Sequence, residues 1–255
     1  MVTKKRPPAK KPVTRLVSET ASVNIPKKDT LFFVLVKPDG MRHHKEIEEM
    51  FLKGFTDNGL KVKVLFSKVI KKGKAAETKP YGLASFYDKS DDWLTKYGKK
   101  IVATCINKKR GDLRPTLGSV KPEDVPDWIG LQIKNNIPEA LVEYMSSGDM
   151  YAIIFSVNSS EDLTFTLARK FLGNIEPEYA ASESVRGKYS IDSFELAWTE
   201  DGGPRAIRNV CHCSDSPDEV HREISVFLGR KIADKFFPEK QDSLKRLMKE
   251  MSKTK

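Results

Sequence analysis

Leu31-Phe32-Phe33-Val34-Leu35-Val36-Lys37 is a run of six apolar residues ended by a lysine, and Pro38-Asp39-Gly40 follows at once. A short continuous apolar run closed by turn residues is the pattern of a buried strand. Lys37 therefore stands at the strand's end. Downstream, Ile47, Met50, Phe51 and Phe55 recur at helical spacing between residues 44 and 58, with Gly59 as a stop. Residues 60–70 then alternate as a strand does, which predicts Val62, Val64 and Phe66 on one face.

The same reading carries on toward the C-terminus. Helical spacing returns over residues 137–145, a strand follows at 150–157, and a helix over 160–172 is closed by Gly173. Residues 206–213 read as a strand that stops at Ser214-Asp215-Ser216-Pro217. Asp215 or Ser216, with Pro217 behind it, starts a helix that continues to Leu228. Two stretches break the rhythm. Over 71–136, Lys, Gly, Asp and Pro interrupt short apolar runs such as Trp93-Leu94 and Trp128-Ile129-Gly130-Leu131, and an insertion with short helices is expected there. Residues 175–205 are irregular. The element order predicts an α+β fold, a ferredoxin-like βαββαβ sandwich whose antiparallel sheet is covered by helices.

The formal net charge of +10 is unevenly spread. Residues 1–30 hold eight Lys and Arg against two Asp and Glu, and residues 239–255 hold six against three, so the body between them is close to neutral. The expected organisation is a basic disordered tail over 1–29, a folded body over 30–236 and a basic C-terminal tail over 237–255. No apolar run is long enough to span a bilayer and the N-terminus lacks the apolar stretch of a secretory signal, so a cytoplasmic protein with no membrane contact is expected. Three cysteines, Cys105, Cys211 and Cys213, argue against a disulfide framework.

Asn209-Val210-Cys211-His212-Cys213-Ser214-Asp215 is the most informative stretch for chemistry. Its Cys-His-Cys triplet invites a metal reading. On a strand, however, His212 points away from both cysteines, and the spacing matches no zinc pattern, so no metal site is expected. A neutral imidazole is a competent nucleophile. At a strand end just before a helix it lies beside backbone N–H groups able to hold phosphate. A histidine merely satisfied in a core is the bland alternative for His212 taken alone.

Further segments decide between these. Phe33 to Gly40 resembles the opening strand of the nucleoside diphosphate kinase family with its phosphate-contacting lysine, Lys37. Leu141-Val142-Glu143-Tyr144-Met145-Ser146-Ser147-Gly148 resembles the segment leading into that family's next strand. Arg169-Lys170-Phe171-Leu172-Gly173 and Val185-Arg186-Gly187-Lys188-Tyr189 match its two arginine motifs, and the stretch from Asn209 to Ser216 matches its active-histidine motif. Together these segments cover most of residues 31–230.

The resemblance implies that His212 passes a γ-phosphoryl group from a nucleoside triphosphate such as ATP to a nucleoside diphosphate by a ping-pong route. It implies catalytic roles for Glu223 and Ser214. Nucleotide contacts are implied for Lys37, Tyr87, Arg169, Arg186 and Asn209, with Mg²⁺ bound through the nucleotide phosphates. A homo-oligomer is implied too, although insertions over 90–135 and 190–205 can block or replace the subunit surfaces of the usual hexamer. Longer members of the family are similar in layout, with a stretch like Asp192-Ser193-Phe194-Glu195-Leu196-Ala197 before Arg205.

Three positions depart from the family's pattern. Ile175 stands where it has a threonine, Cys213 where a glycine follows the histidine, and Ile137-Pro138 where an aromatic residue stacks on the base. These departures motivate a second reading, a kinase-like domain that binds nucleotide or partners without turnover. A third reading, nucleic-acid binding through the basic tails, is not favoured; deleting residues 1–28 separates it from the others, since it predicts loss of salt-sensitive affinity where the kinase reading predicts activity intact. His221 is expected on a helix surface, and His43 and His44 in a turn and the first turn of a helix.

Overall fold

The computed structural model describes residues 29–73, 83, 90–110, 118–129, 136–199 and 205–238. Residues 1–28 and 239–255, which hold nearly all of both basic tails, lie outside the described residues, as does Tyr87. Four strands form one sheet: β1 (Thr30–Val36), β2 (Val62–Ile70), β3 (Met150–Val157) and β4 (Cys211–Cys213). Their order is β2-β3-β1-β4, with every neighbouring pair antiparallel. This is the expected ferredoxin-like arrangement. The helices are α1 (His44–Asp57), α2 (Asp91–Arg110), α3 (Asn136–Ser146), α4 (Glu161–Leu172), α5 (Val185–Tyr189), α6 (Phe194–Thr199), α7 (Pro217–Leu228) and α8 (Arg230–Phe236).

β1 and β3 are central and buried throughout, which is why both read as unbroken apolar runs. On one face Phe32 stacks on Phe155 at 4.7 Å, and Phe51 and Phe55 of α1 and Phe171 of α4 complete an aromatic cluster. On the other face Phe33 meets Phe227 of α7 at 5.9 Å. Phe66 meets Phe236 of α8 edge-on at 6.5 Å. Helices thus cover both faces.

Three expectations about the strands and the insertion need correction. β2 bulges between Val64 and Phe66, so Val64 opposes Phe155 while Phe66 opposes Ile154. The extra residue moves Phe66 to the face opposite Val62 and Val64. The insertion is built on the 20-residue α2 rather than on short helices alone; Leu94 and Ile101 bury one side of it against Ile137, Phe194, Ala197 and Ile207. The last strand is three residues long and not eight. Val210, with φ 52°, breaks the extended chain just before it, so Asn209 lies outside the pleat.

Helix ends follow the expected signals. Ser160 caps α4 by accepting from the Leu163 N–H, and Ser216 caps α7 from the Glu219 N–H with Pro217 in the first turn. His221 is half-buried rather than on the surface, its ring edge-on to Phe237 at 5.3 Å. His43 ends a 3-10 turn and His44 opens α1, as read from the sequence.

Candidate functional site

β4 is an edge strand, and a cavity of about 800 Å³ opens beside it. Both helical layers reach it there, Arg169 and Leu172 from α4 and Glu223 and Phe227 from α7. Leu35 and His212 are opposite each other in the β1–β4 ladder, so they share the face that carries α7. His212 Nε2 lies 2.6 Å from Glu223 Oε1, a carboxylate buried on α7. The Ser214 hydroxyl donates to the other oxygen of Glu223. Ser214 is fully buried, so it meets the cavity only through that carboxylate.

Two cations sit deep in the site. Lys37, at the end of β1, donates to Asn209 Oδ1 at 2.6 Å, and Asn209 Nδ2 in turn donates to the Ile175 carbonyl at 3.1 Å. Burial and the neighbouring Arg186 guanidinium bring the Lys37 ammonium down to about 8. Arg186 donates to the carbonyls of Gly173 at 3.1 Å and Cys211 at 3.0 Å, and burial lowers its pKa as well. Neither contact consumes a carboxylate. Positive charge is therefore held at the cavity in a form that an anion can neutralise. Arg169 is exposed at the rim, with Asp215 3.9 Å away.

The turn after β1 is fixed from several sides. Asp39 accepts the hydroxyl of Tyr144 with one oxygen and the Val210 N–H, at 3.1 Å, with the other. The Val210 carbonyl accepts the Lys37 N–H at 2.9 Å. Gly40 packs so closely that a Cβ there would lie 2.5 Å from that carbonyl. These contacts lock the lysine segment to the histidine segment, 172 residues away along the chain in the case of Lys37 and Asn209.

The two cysteines face away from His212, on the side of Val34 and Val36. Burial pushes the Cys211 thiol up to about 12 and raises Cys213 well above its ordinary value, so both stay protonated at neutral pH. Among the described residues no group of three or more His, Cys, Asp or Glu is placed to hold a metal ion. The departure at Ile175 leaves its backbone carbonyl in use by Asn209, whatever its side chain.

His212, Glu223, Lys37, Arg169, Arg186 and Asn209 all line the one cavity. Residues missed in the sequence include Trp93, Tyr97 and Lys100 of α2, which line it as well. Their spacing of four and three is that of one helix face, the signal that could have revealed them. Asp39 was passed over as a turn residue.

A family model described as nucleoside diphosphate kinase matches residues 115–232. A nucleoside diphosphate kinase of Pyrobaculum aerophilum is 31% identical over 191 residues, covering 75% of this chain and 90% of that protein. One from Pyrococcus furiosus is 29% identical over 112 residues, 41% of this chain and 61% of that protein. A crystal structure of an NDP kinase from Pyrobaculum aerophilum superposes with a TM-score of 0.52 at 28% identity, covering 78% of this chain and 95% of that one.

Proposed function

The chain belongs to the nucleoside diphosphate kinase family, and we propose that it transfers the γ-phosphoryl group of a nucleoside triphosphate to a nucleoside diphosphate through a phosphorylated His212. The observation that carries this reading is the 2.6 Å contact between His212 Nε2 and Glu223, in a cavity that also presents Lys37 and Arg186.

A carboxylate can only accept, so Nε2 carries the proton in the neutral ring and Nδ1 carries the lone pair. Nδ1 attacks the γ-phosphorus in line. The N–P bond forms as the bond to the β,γ-bridging oxygen breaks, and the electron pair leaves with the diphosphate. Positive charge developing on the ring is met by Glu223, which Ser214 holds in place through its second oxygen. Once the first diphosphate has left, a terminal oxygen of a second one attacks the phosphohistidine and regenerates the free ring.

Lys37, Arg186 and Arg169 neutralise the transferred group and its neighbours, and Asn209 orients Lys37. Magnesium, when bound on the nucleotide, would neutralise part of the phosphate charge. A cavity floor of buried cations suits a phosphate chain that brings its own metal. The working form is a homo-oligomer acting on soluble nucleotides in the cytoplasm. No helix among the described residues is long and apolar enough to cross a membrane.

The test is initial-rate kinetics with ATP and a second diphosphate varied together. Parallel double-reciprocal lines are expected of a phosphoenzyme route. Intersecting lines would mean direct transfer within a ternary complex and would overturn it.

A further inference from the structure

We propose that Trp93 is the platform on which the nucleotide base lies, so that the inserted helix α2 builds the base-binding half of the site; this rests on the phosphoryl-transfer reading above.

A nucleotide has an anionic end and an aromatic end, and the lining of the cavity offers cations for the one and an exposed indole for the other. Lys37, Arg186 and His212 hold the phosphate end. Trp93, Tyr97 and Lys100 of α2 line the same cavity.

Trp93 is 41% exposed although it is one of the largest apolar side chains of the protein. Its indole stacks on Tyr97 at 5.0 Å and 11°, and Tyr97 packs edge-on against Phe194 at 6.0 Å. Phe194 is buried in the cluster under α2. This buttress holds the indole before anything binds, so little side-chain freedom is lost when a base stacks on it. Ile137 takes no part, because it is buried in that same cluster beneath α2 and does not line the cavity. Stacking on an indole is open to every base, since each has a π-face.

The experiment compares the full chain with Trp93→Ala and Trp93→Phe, using nucleotides and, separately, phosphoramidate, a phosphoryl donor with no base. For Trp93→Ala the kcat/KM for ADP and GDP is expected to fall about 5- to 150-fold, with Trp93→Phe recovering most of it. Phosphorylation of His212 by phosphoramidate is expected to be unchanged in both variants. ADP is expected to quench the tryptophan fluorescence of the wild type but not that of Trp93→Ala, in which Trp128 and Trp198 remain.

Wild-type kcat/KM in Trp93→Ala overturns the proposal and leaves the kinase reading standing. Loss of phosphoramidate labelling together with nucleotide turnover would mark a general structural role and overturns it too. A folded wild type labelled by phosphoramidate but never by ATP would sink the underlying reading and take this proposal with it.

Discussion

Asp39 accepts the backbone N–H of Val210 at 3.1 Å, and Val210, two positions before His212, is held at positive φ although it is not a glycine. A β-branched residue in that region costs about 1–3 kcal/mol and persists only where its surroundings enforce it. Asp39 is part of that enforcement. Asp39→Ala is expected to release the turn, let the His212 segment relax, and lower kcat by about 10²-fold through misplacement of the nucleophile. Steady-state kinetics with a thermal melt checks this. Wild-type kcat would mean that the strained turn does not position the histidine.

The buried lysine gives the activity an alkaline limb. With its pKa near 8, Lys37 loses its charge as pH rises through that value in the free protein, so kcat/KM should decline above it. Lys37→Arg should remove this limb whatever it does to the absolute rate. The sign for stability is the opposite. The folded pKa lies below the ordinary 10.5, so between about 8 and 10.5 the unfolded chain binds the extra proton and Lys37's contribution to stability rises with pH. A pH profile that is flat through 8 would contradict the environment described for Lys37.

Glu176 behaves in the reverse way. It is buried, one oxygen accepts the Phe194 N–H at 2.8 Å, and the other has no hydrogen-bond partner among the described residues. Burial raises its pKa from 4.5 to about 7. Over that interval the folded state holds the proton more tightly, so its contribution to stability is lost as pH rises from 4.5 through 7. Glu176→Gln keeps the acceptor for Phe194 and should flatten this slope, raising Tm at neutral pH. Thermal melts across the interval would show it; an unchanged slope would count against it.

Gly187 follows the buried arginine, and a Cβ on it would lie 2.0 Å from the Ala181 carbonyl. Gly187→Ala should therefore cost about 1–3 kcal/mol of stability through overpacking. It should also weaken nucleotide binding more than distant substitutions of equal cost, because Arg186 must shift with the backbone. Denaturant melts and a titration with ADP test the two parts separately.

Much of this arrangement can be read from the sequence, for definite reasons. β1, β3, α1, α4 and α7 are uniform in pattern and bounded by Ser, Pro or Gly signals, so their residues alone place them. The histidine, its carboxylate and the cationic residues fall in short motifs whose order along the chain could be read directly. The bulge at Leu65 could not, since an inserted residue leaves the apolar alternation looking intact while turning Phe66 to the other face. The strand before His212 was overlong because Val210 has a high strand propensity and gives no local sign that Asp39 and Lys37 will hold it at φ 52°. The aromatic residues of α2 were missed because the helix is rich in lysine and polar residues, and its buried side is evident only once Phe194 and Ile207 are brought against it.

The most direct test of the central claim is incubation with γ-labelled ATP, comparing the wild type with His212→Ala, followed by addition of GDP. The account predicts label on the wild-type protein that is labile to acid and stable to alkali, that passes to GDP, and that is absent from the variant. Label that persists in folded His212→Ala, or a folded wild type that binds ATP and acquires none, would contradict it.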